Sequence, residues 1–212
     1  MLDPENVRKI TSGMIRRVTR TPVTVKCRIG VDDNDSYEEL VKFVVAVRSA
    51  GVDHVIVHAR KCWLKGLSPA ANRTIPPLQY GVVHRLSSEF PELEIVLNGG
   101  VTTLGEATDH LLRRGEWGGY GGRVCGVMVG RAAYHNPWEF RHTDSVIFGT
   151  PDPGDRNPLQ MFDGCSSRLR VVDQQMGVVT SGANSPCLVS AVRKVELYGA
   201  FFFFFSDECG GG

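Results

Sequence analysis

The chain has 212 residues, 42% hydrophobic and 22% charged, with a formal net charge of +1 at pH 7. That is the balance of an ordinary globular chain of about one domain, with no overall basicity that would demand nucleic acid. No apolar run reaches the roughly eighteen residues of a membrane-spanning helix, and Met1 opens no charged-apolar-small signal segment, so membrane spanning and secretion are not expected. The six cysteines, at 27, 62, 125, 165, 187 and 209, form no C-x-x-C pair and no zinc-like spacing with histidine. They read as incidental thiols of a reduced, cytoplasmic protein that binds no metal. A plastid or mitochondrion is the alternative if an N-terminal segment is missing.

In chain order, "LDPENVRKITSGMIRRVTR" offers Asp3 as a cap, Pro4 at the first helical position, and Val7, Ile10, Met14, Ile15 and Val18 as one stripe, which predicts an amphipathic helix. The β-branched "PVTVKCRIG" (22–30) predicts a strand. In "SYEELVKFVVAVRSAG" (36–51), Ser36 and Glu39 have capping-box spacing and Gly51 supplies the stop, so a helix is expected. The alternation then continues with a strand at 54–59, a long loop, a helix at 80–90, a strand at 94–98, a helix at 103–115 and a strand at 126–131.

The segment "VLNGGVTTLGEA" (96–107) decides how this pattern is read. Asn-Gly after an apolar run can be a hairpin turn. Thr103 and Glu106, however, have capping-box spacing, and Ala107, Leu111 and Leu112 follow at helical intervals, so strand, glycine turn and helix are expected. Backbone N–H groups at such a helix start face outward, and glycines let an anion approach them, which makes the turn a candidate phosphate site.

Strands apolar on both faces and alternating with helices imply an α/β fold with a parallel sheet, either doubly wound or a (β/α)8 barrel. Polar and glycine residues fall at the C-terminal end of each strand, at Lys26, His58, Asn98-Gly99-Gly100 and Gly130-Arg131. A barrel keeps its chemistry at that end, with its phosphate site after strands seven and eight, so the expectation is a partial (β/α)8 TIM barrel holding the last four βα units. Residues 1–140 are read as that domain and 141–212 as an irregular tail.

Four motifs now carry a resemblance: "MLDPENV", "PVTVKCRIGVDD", the long "HARKCWLKGLSPAANRTIPPLQY", and "NGG" followed by "VMVGRAAYHNPW". Residues 1 to about 138 are similar to a tRNA-dihydrouridine synthase of the A type, from which the 141–212 tail is diverged. The resemblance implies an FMN-containing barrel, reduced by NADPH, that reduces the C5=C6 bond of a uridine in the D-loop region of tRNA. It also implies that Lys26, His58, Asn98, Gly99, Gly100, Gly130 and Arg131 bind the flavin. On this carry-over Lys26 steadies negative charge on the reduced ring. For His58 a purely structural role stays open beside the flavin contact.

From His54 to Ser88 there is no Asp or Glu, while Arg60, Lys61, Lys65, Arg73 and Arg85 are present with Trp63 and Tyr80 between them. Local positive charge with interleaved aromatics is the footprint of phosphate contact and base stacking. Arg60, Lys61, Lys65 and Arg73 are therefore the candidate RNA-binding residues, and Arg60 and Arg73 match basic positions of the family's RNA-facing loop. The family's Ala-Pro-Met strand end, its flavin-holding glutamine and its Gly-Cys-Pro proton-donor loop have no counterpart here, so no catalytic acid is assigned. The glycine-rich "GEWGGYGGRVCG" (115–126) is expected to form a flexible loop near the phosphate site. The run "FFFFF" near the C-terminus has no period suited to a soluble surface and reads as an aggregation hazard. Two functions remain: the synthase itself, and a non-catalytic fragment with residual phosphate or RNA affinity.

Overall fold

The computed structural model describes residues 1–18, 21–112, 119, 122–151 and 201–204. Helix α1 (Pro4–Ile15) starts where the sequence places its cap, with the Asn6 N–H donating to Asp3 Oδ1 at 3.0 Å. Then follow β1 (Val25–Arg28), α2 (Tyr37–Ser49), β2 (His54–His58), α3 (Tyr80–Glu89), β3 (Glu94–Asn98), α4 (Leu104–Leu112) and β4 (Gly126–Val129). Two short helices, α5 (Arg131–His135) and α6 (Thr143–Phe148), come next, and β5 (Phe201–Phe204) completes the described elements. Both expected caps form, with the reciprocal bond of a full capping box at Thr103–Glu106, while the Glu39 carboxylate pairs with Lys42. The Glu39 N–H donates to Ser36 Oγ at 3.2 Å, and the Glu106 N–H donates to Thr103 Oγ1 at 3.1 Å.

The strands lie in the order β1-β2-β3-β4-β5, and the first three junctions are parallel. The hairpin reading of Asn98-Gly99 is thereby excluded, because β3 runs parallel to both neighbours. Cys27, Val57, Leu97 and Val127 stand level across the sheet. They share the main core with Leu40, Phe43, Val44 and Val47 of α2, Val83 and Leu86 of α3, and Leu104, Ala107 and Leu111 of α4. Ile56, Val96 and Met128 form a second cluster. A strand row that is apolar on alternate residues of both faces is the mark of a buried parallel sheet. The main core also includes Phe140 and Ile147.

Three expectations are corrected. On α1, only Val7 and Ile15 of the predicted stripe pack against the core, with Thr11 buried between them; Ile10, Met14 and Val18 are exposed. Residues seven, eleven and fifteen lie on one line of the helix, and the polar Thr11 hides that line because its hydroxyl donates back to Val7 O at 2.9 Å. Second, the described end of the glycine-rich segment does not lie at the phosphate turn, and most of residues 115–121 lie outside the described residues. That end, Gly122 to Cys125, leads into the N-terminal end of β4, whereas Gly99 and Gly130 lie at the C-terminal ends. Gly122 is pressed against α3, where a Cβ would come within 2.4 Å of the Ser88 nitrogen. Third, the tail is not irregular throughout: Phe201–Phe204 pairs antiparallel with β4, Phe201 opposite Val129 and Phe204 opposite Gly126. No helix among the described residues is long and apolar enough to cross a membrane.

Candidate functional site

Three of the expected residues meet towards the C-terminal end of the sheet: His58 and Asn98 end β2 and β3, whereas Lys26, expected at the tip of β1, is its second residue, level with Ile56, and its side chain reaches Asn98. Lys26 Nζ donates to Asn98 Oδ1 at 2.9 Å, and Asn98 Nδ2 donates to Met128 O at 3.0 Å. One amide side chain thus ties β1, β3 and β4. His58 sits between Arg28 and Asn98 in the same row of the sheet. Its Nδ1 is buried without a hydrogen-bond partner among the described residues. Burial, and then the positive charges of Arg28, Lys26 and Arg60, depress its pKa to about 3, so the ring is neutral at physiological pH. A buried nitrogen left unpaired is costly, and a ligand at this spot would relieve it.

The glycine turn is built for close approach. Gly99 and Gly100 have φ of 118° and 74°, and a Cβ on Gly100 would stand 2.5 Å from Leu78 Cδ1 and 3.0 Å from the Tyr80 hydroxyl. Tyr80 donates to Gly99 O at 2.8 Å, fixing the turn from α3. The start of α4 is less open than its sequence suggests. Glu106 Oε2 accepts from the N–H groups of Thr102 at 2.7 Å and Thr103 at 3.4 Å, so these donors are engaged within the capping box. Gly130, by contrast, has nothing within 4 Å of where a Cβ would sit. Arg131 beside it is exposed and donates from Nη2 to Arg73 O at 3.3 Å.

The basic loop is divided between inward and outward cations. Arg60 Nη1 donates to Thr74 O at 3.2 Å and also to Pro76 O, holding the loop's return limb. Lys61 Nζ donates to Asp35 Oδ2 at 2.6 Å and lies 4.1 Å from the centre of the Trp63 ring. Lys65 and Arg73 are exposed, and neither side chain forms an ion pair among the described residues. Arg85 is on α3, donating to Glu89 at 2.8 Å and stacked over Tyr37, and takes no part in the loop.

Two contributors, Arg28 and Asn72, escaped the sequence reading, and Tyr80, expected as a stacking aromatic, commits its hydroxyl to Gly99 O. Arg28 Nη1 donates to Lys61 O at 3.0 Å and Asn72 O at 2.9 Å, pinning the loop to the tip of β1. Buried Asn72 exchanges hydrogen bonds with the backbone of Trp63, at 2.8 and 2.7 Å. Tyr80 anchors the glycine turn. Arg28 was findable, since it alternates with Lys26 and so shares its face of the strand; Asn72 and Tyr80 act across sequence distances that no local pattern reports.

Charge gathers at these tips. Burial lowers the Arg60 pKa first, and Arg131 and Arg28 push the same way, while Tyr80 opposes them. Burial also lowers the pKa of Lys26, with Arg28 adding to the effect. Lys26, Arg28 and Arg60 are cations gathered around a neutral imidazole, with Arg131 beside Arg60, an arrangement complementary to an anion. Cys27 lies on the opposite face in the main core, and burial pushes its thiol up to about 12. It is an inert packing residue.

The protein-family model described as "Dihydrouridine synthase (Dus)" matches residues 1–185. Among curated proteins, the chain is 47% identical over 148 residues to the tRNA-dihydrouridine(20/20a) synthase of Synechocystis sp., covering 70% of this chain and 41% of that protein. It is 45% identical over 150 residues to the Shewanella oneidensis protein of the same name, covering 71% and 42%. For the Vibrio cholerae protein of that name the identity is 44% over 154 residues, covering 72% and 44%. The chain thus spans about two fifths of the length of the curated relatives it matches.

Proposed function

The chain belongs to the dihydrouridine synthase family, and from that premise we propose that the protein it represents reduces the C5=C6 bond of uridine in tRNA, with FMN as flavin and NADPH as reductant. The observation that carries this reading is that the Lys26 ammonium reaches Asn98, and that His58, Asn98 and two positive-φ glycines gather at the ends of adjacent parallel strands. In the same reading residues 1–140 are the last four βα units of a TIM barrel, and the cytoplasm is the compartment.

The residues present fit the flavin's anionic end and one polar edge. Gly99, Gly100, Gly130 and Arg131 would receive the phosphate, with open space at Gly130 for its approach. Lys26, oriented by Asn98, would set positive charge at the ring edge, and the unpaired His58 Nδ1 would gain a partner. When bound, FMN supplies the hydride that the reduction needs. The exposed Lys65 and Arg73 would grip RNA phosphates, because a uridine must leave its stack before its ring carbons can be reached.

A second reading, in which this chain alone binds phosphate or RNA without turnover, is favoured by β5. An antiparallel strand on the outer edge of β4 occupies the hydrogen-bonding groups that a further parallel strand would need to extend the sheet towards a closed barrel. Purified residues 1–212 are therefore expected to bind FMN weakly and to leave unmodified tRNA unreduced with NADPH. Flavin absorbance and a dihydrouridine assay check both. Stoichiometric flavin with turnover would reject the second reading, while a longer chain carrying the missing barrel half that still fails to turn over would reject the first.

A further inference from the structure

We propose that the acidic turn at Asp32–Asp35 is a positioning device for the basic loop, so that two carboxylates strengthen the binding of a polyanion. The inference rests on the RNA reading of that loop.

The turn is tightly made. Val31 N–H donates to Asn34 O at 3.0 Å and Asn34 N–H to Val31 O at 2.9 Å. Asp32 takes φ of 50°, a left-handed conformation unusual for a residue with a side chain. Gly30 lets the turn fold back on the end of β1, since a Cβ there would meet Asp35 Cα at 2.7 Å. The basic loop is then fastened to this turn at successive residues. Cys62 N–H donates to Gly30 O at 2.9 Å, and Asp32 N–H donates to Cys62 O at 2.8 Å. Asp32 Oδ1 accepts from the Leu64 N–H at 2.8 Å, and Asp35 Oδ2 accepts from Lys61 Nζ at 2.6 Å. Lys65, the next residue after this fastening, is an exposed cation.

Arg28, Asn72 and Arg60 hold the rest of the loop, so losing the two carboxylate contacts would loosen the stretch around Lys61 and Leu64, and RNA binding would have to bear the cost of ordering it. The strained Asp32 makes sense in these terms: a conformation that costs free energy persists because the bonds it allows fix a neighbouring segment. Two expectations of opposite sign follow. If the carboxylates acted only through their charge, removing either would reduce repulsion of RNA and tighten binding, and Lys61 freed from Asp35 would add a phosphate contact. If they position the loop, removing them weakens binding.

The test measures affinity of the 212-residue chain for an unmodified tRNA transcript by fluorescence anisotropy at fixed salt, beside amide exchange at Leu64 and the thermal midpoint. Asp32→Gly relaxes the backbone while deleting the acceptor, and Asp35→Ala deletes the partner of Lys61. Each is expected to weaken binding about twofold to tenfold, the range of an exposed ion pair or one hydrogen bond. Exchange at Leu64 should accelerate in Asp32→Gly with the thermal midpoint little changed. Asp32→Asn keeps an acceptor oxygen and tolerates the left-handed backbone, so it should bind at least as well as the parent. Asp33→Asn, exposed in the same turn, should bind equally or more tightly. A parent chain with no tRNA affinity overturns the RNA reading and this inference with it. Parent binding that is unchanged or tightened in both Asp32→Gly and Asp35→Ala overturns the inference alone.

Discussion

Gly100 and Gly130 look alike in sequence, and the structure gives them opposite sensitivities. Gly100→Ala would force φ of 74° on alanine and drive its Cβ to 2.5 Å from Leu78. A loss of about 1–3 kcal/mol in urea unfolding is expected. Gly130→Ala meets no atom within 4 Å and should leave stability within about 0.5 kcal/mol while reducing FMN affinity, read by fluorescence titration. The buried histidines set a pH dependence. Gly122 O can only accept, so His84 carries its proton on Nδ1, and its Nε2 accepts from His110 Nδ1 at 3.2 Å. Burial lowers the pKa of both, that of His110 to about 4 with His84 contributing, and His58 falls to about 3. Between about pH 6.5 and 4 the unfolded chain binds more protons at these rings than the folded one. Stability is therefore fully present above about 6.5 and declines as pH falls below it. Urea midpoints at pH 7.5 and 5 should show the loss, and His110→Asn should flatten it; an unaltered slope would remove the pair from the account.

At the scale of elements, β4 is the informative strand, because one edge carries a parallel neighbour and the other an antiparallel one. Phe202→Pro sets a proline, which fits poorly inside a ladder, opposite Met128. Amide exchange in β4 should then accelerate while β2 and β3 keep their protection; unchanged β4 exchange would mean that β5 contributes nothing to that edge. Much of this level was legible. The caps at Ser36–Glu39 and Thr103–Glu106 and the β-branched runs locate α2, α4 and three of the strands, since local hydrogen bonds and side-chain stiffness act within a few residues. What was not legible depends on distance. The face of α1 is hidden by Thr11, and β5 arises from a phenylalanine run that has no period to announce it.

For the molecule as a whole, the same division holds in the candidate site. His58, Asn98 and the glycines could be placed because the parallel topology carries each strand's last residues to one end of the sheet, and Lys26 because it shares a face with Arg28 at the tip of β1. The roles within the basic loop could not, because sign balance was counted along the chain. The loop lacks acids of its own, yet Asp35 neutralises Lys61 from the turn after β1, and carbonyl oxygens occupy Arg60. Of the four cations expected to meet RNA, the two that remain exposed are Lys65 and Arg73. Replacing both with glutamate should abolish most tRNA affinity at unchanged thermal midpoint. The salt dependence of binding should flatten by about one unit of slope for each phosphate no longer neutralised.

The pairing of β5 with β4 also has a consequence for how the chain is made. A ribosome finishes Val129 long before it reaches Phe201, and at about 5–20 residues per second the wait is roughly 4–14 s. Throughout that interval the nascent sheet would carry β4 with its outer hydrogen-bonding groups unmatched, in a crowded cell where another growing chain could take them. Slow codons between the two strands would lengthen the exposure, and a chaperone that shields strand edges would shorten its effect, so the yield of this protein should respond to translation speed.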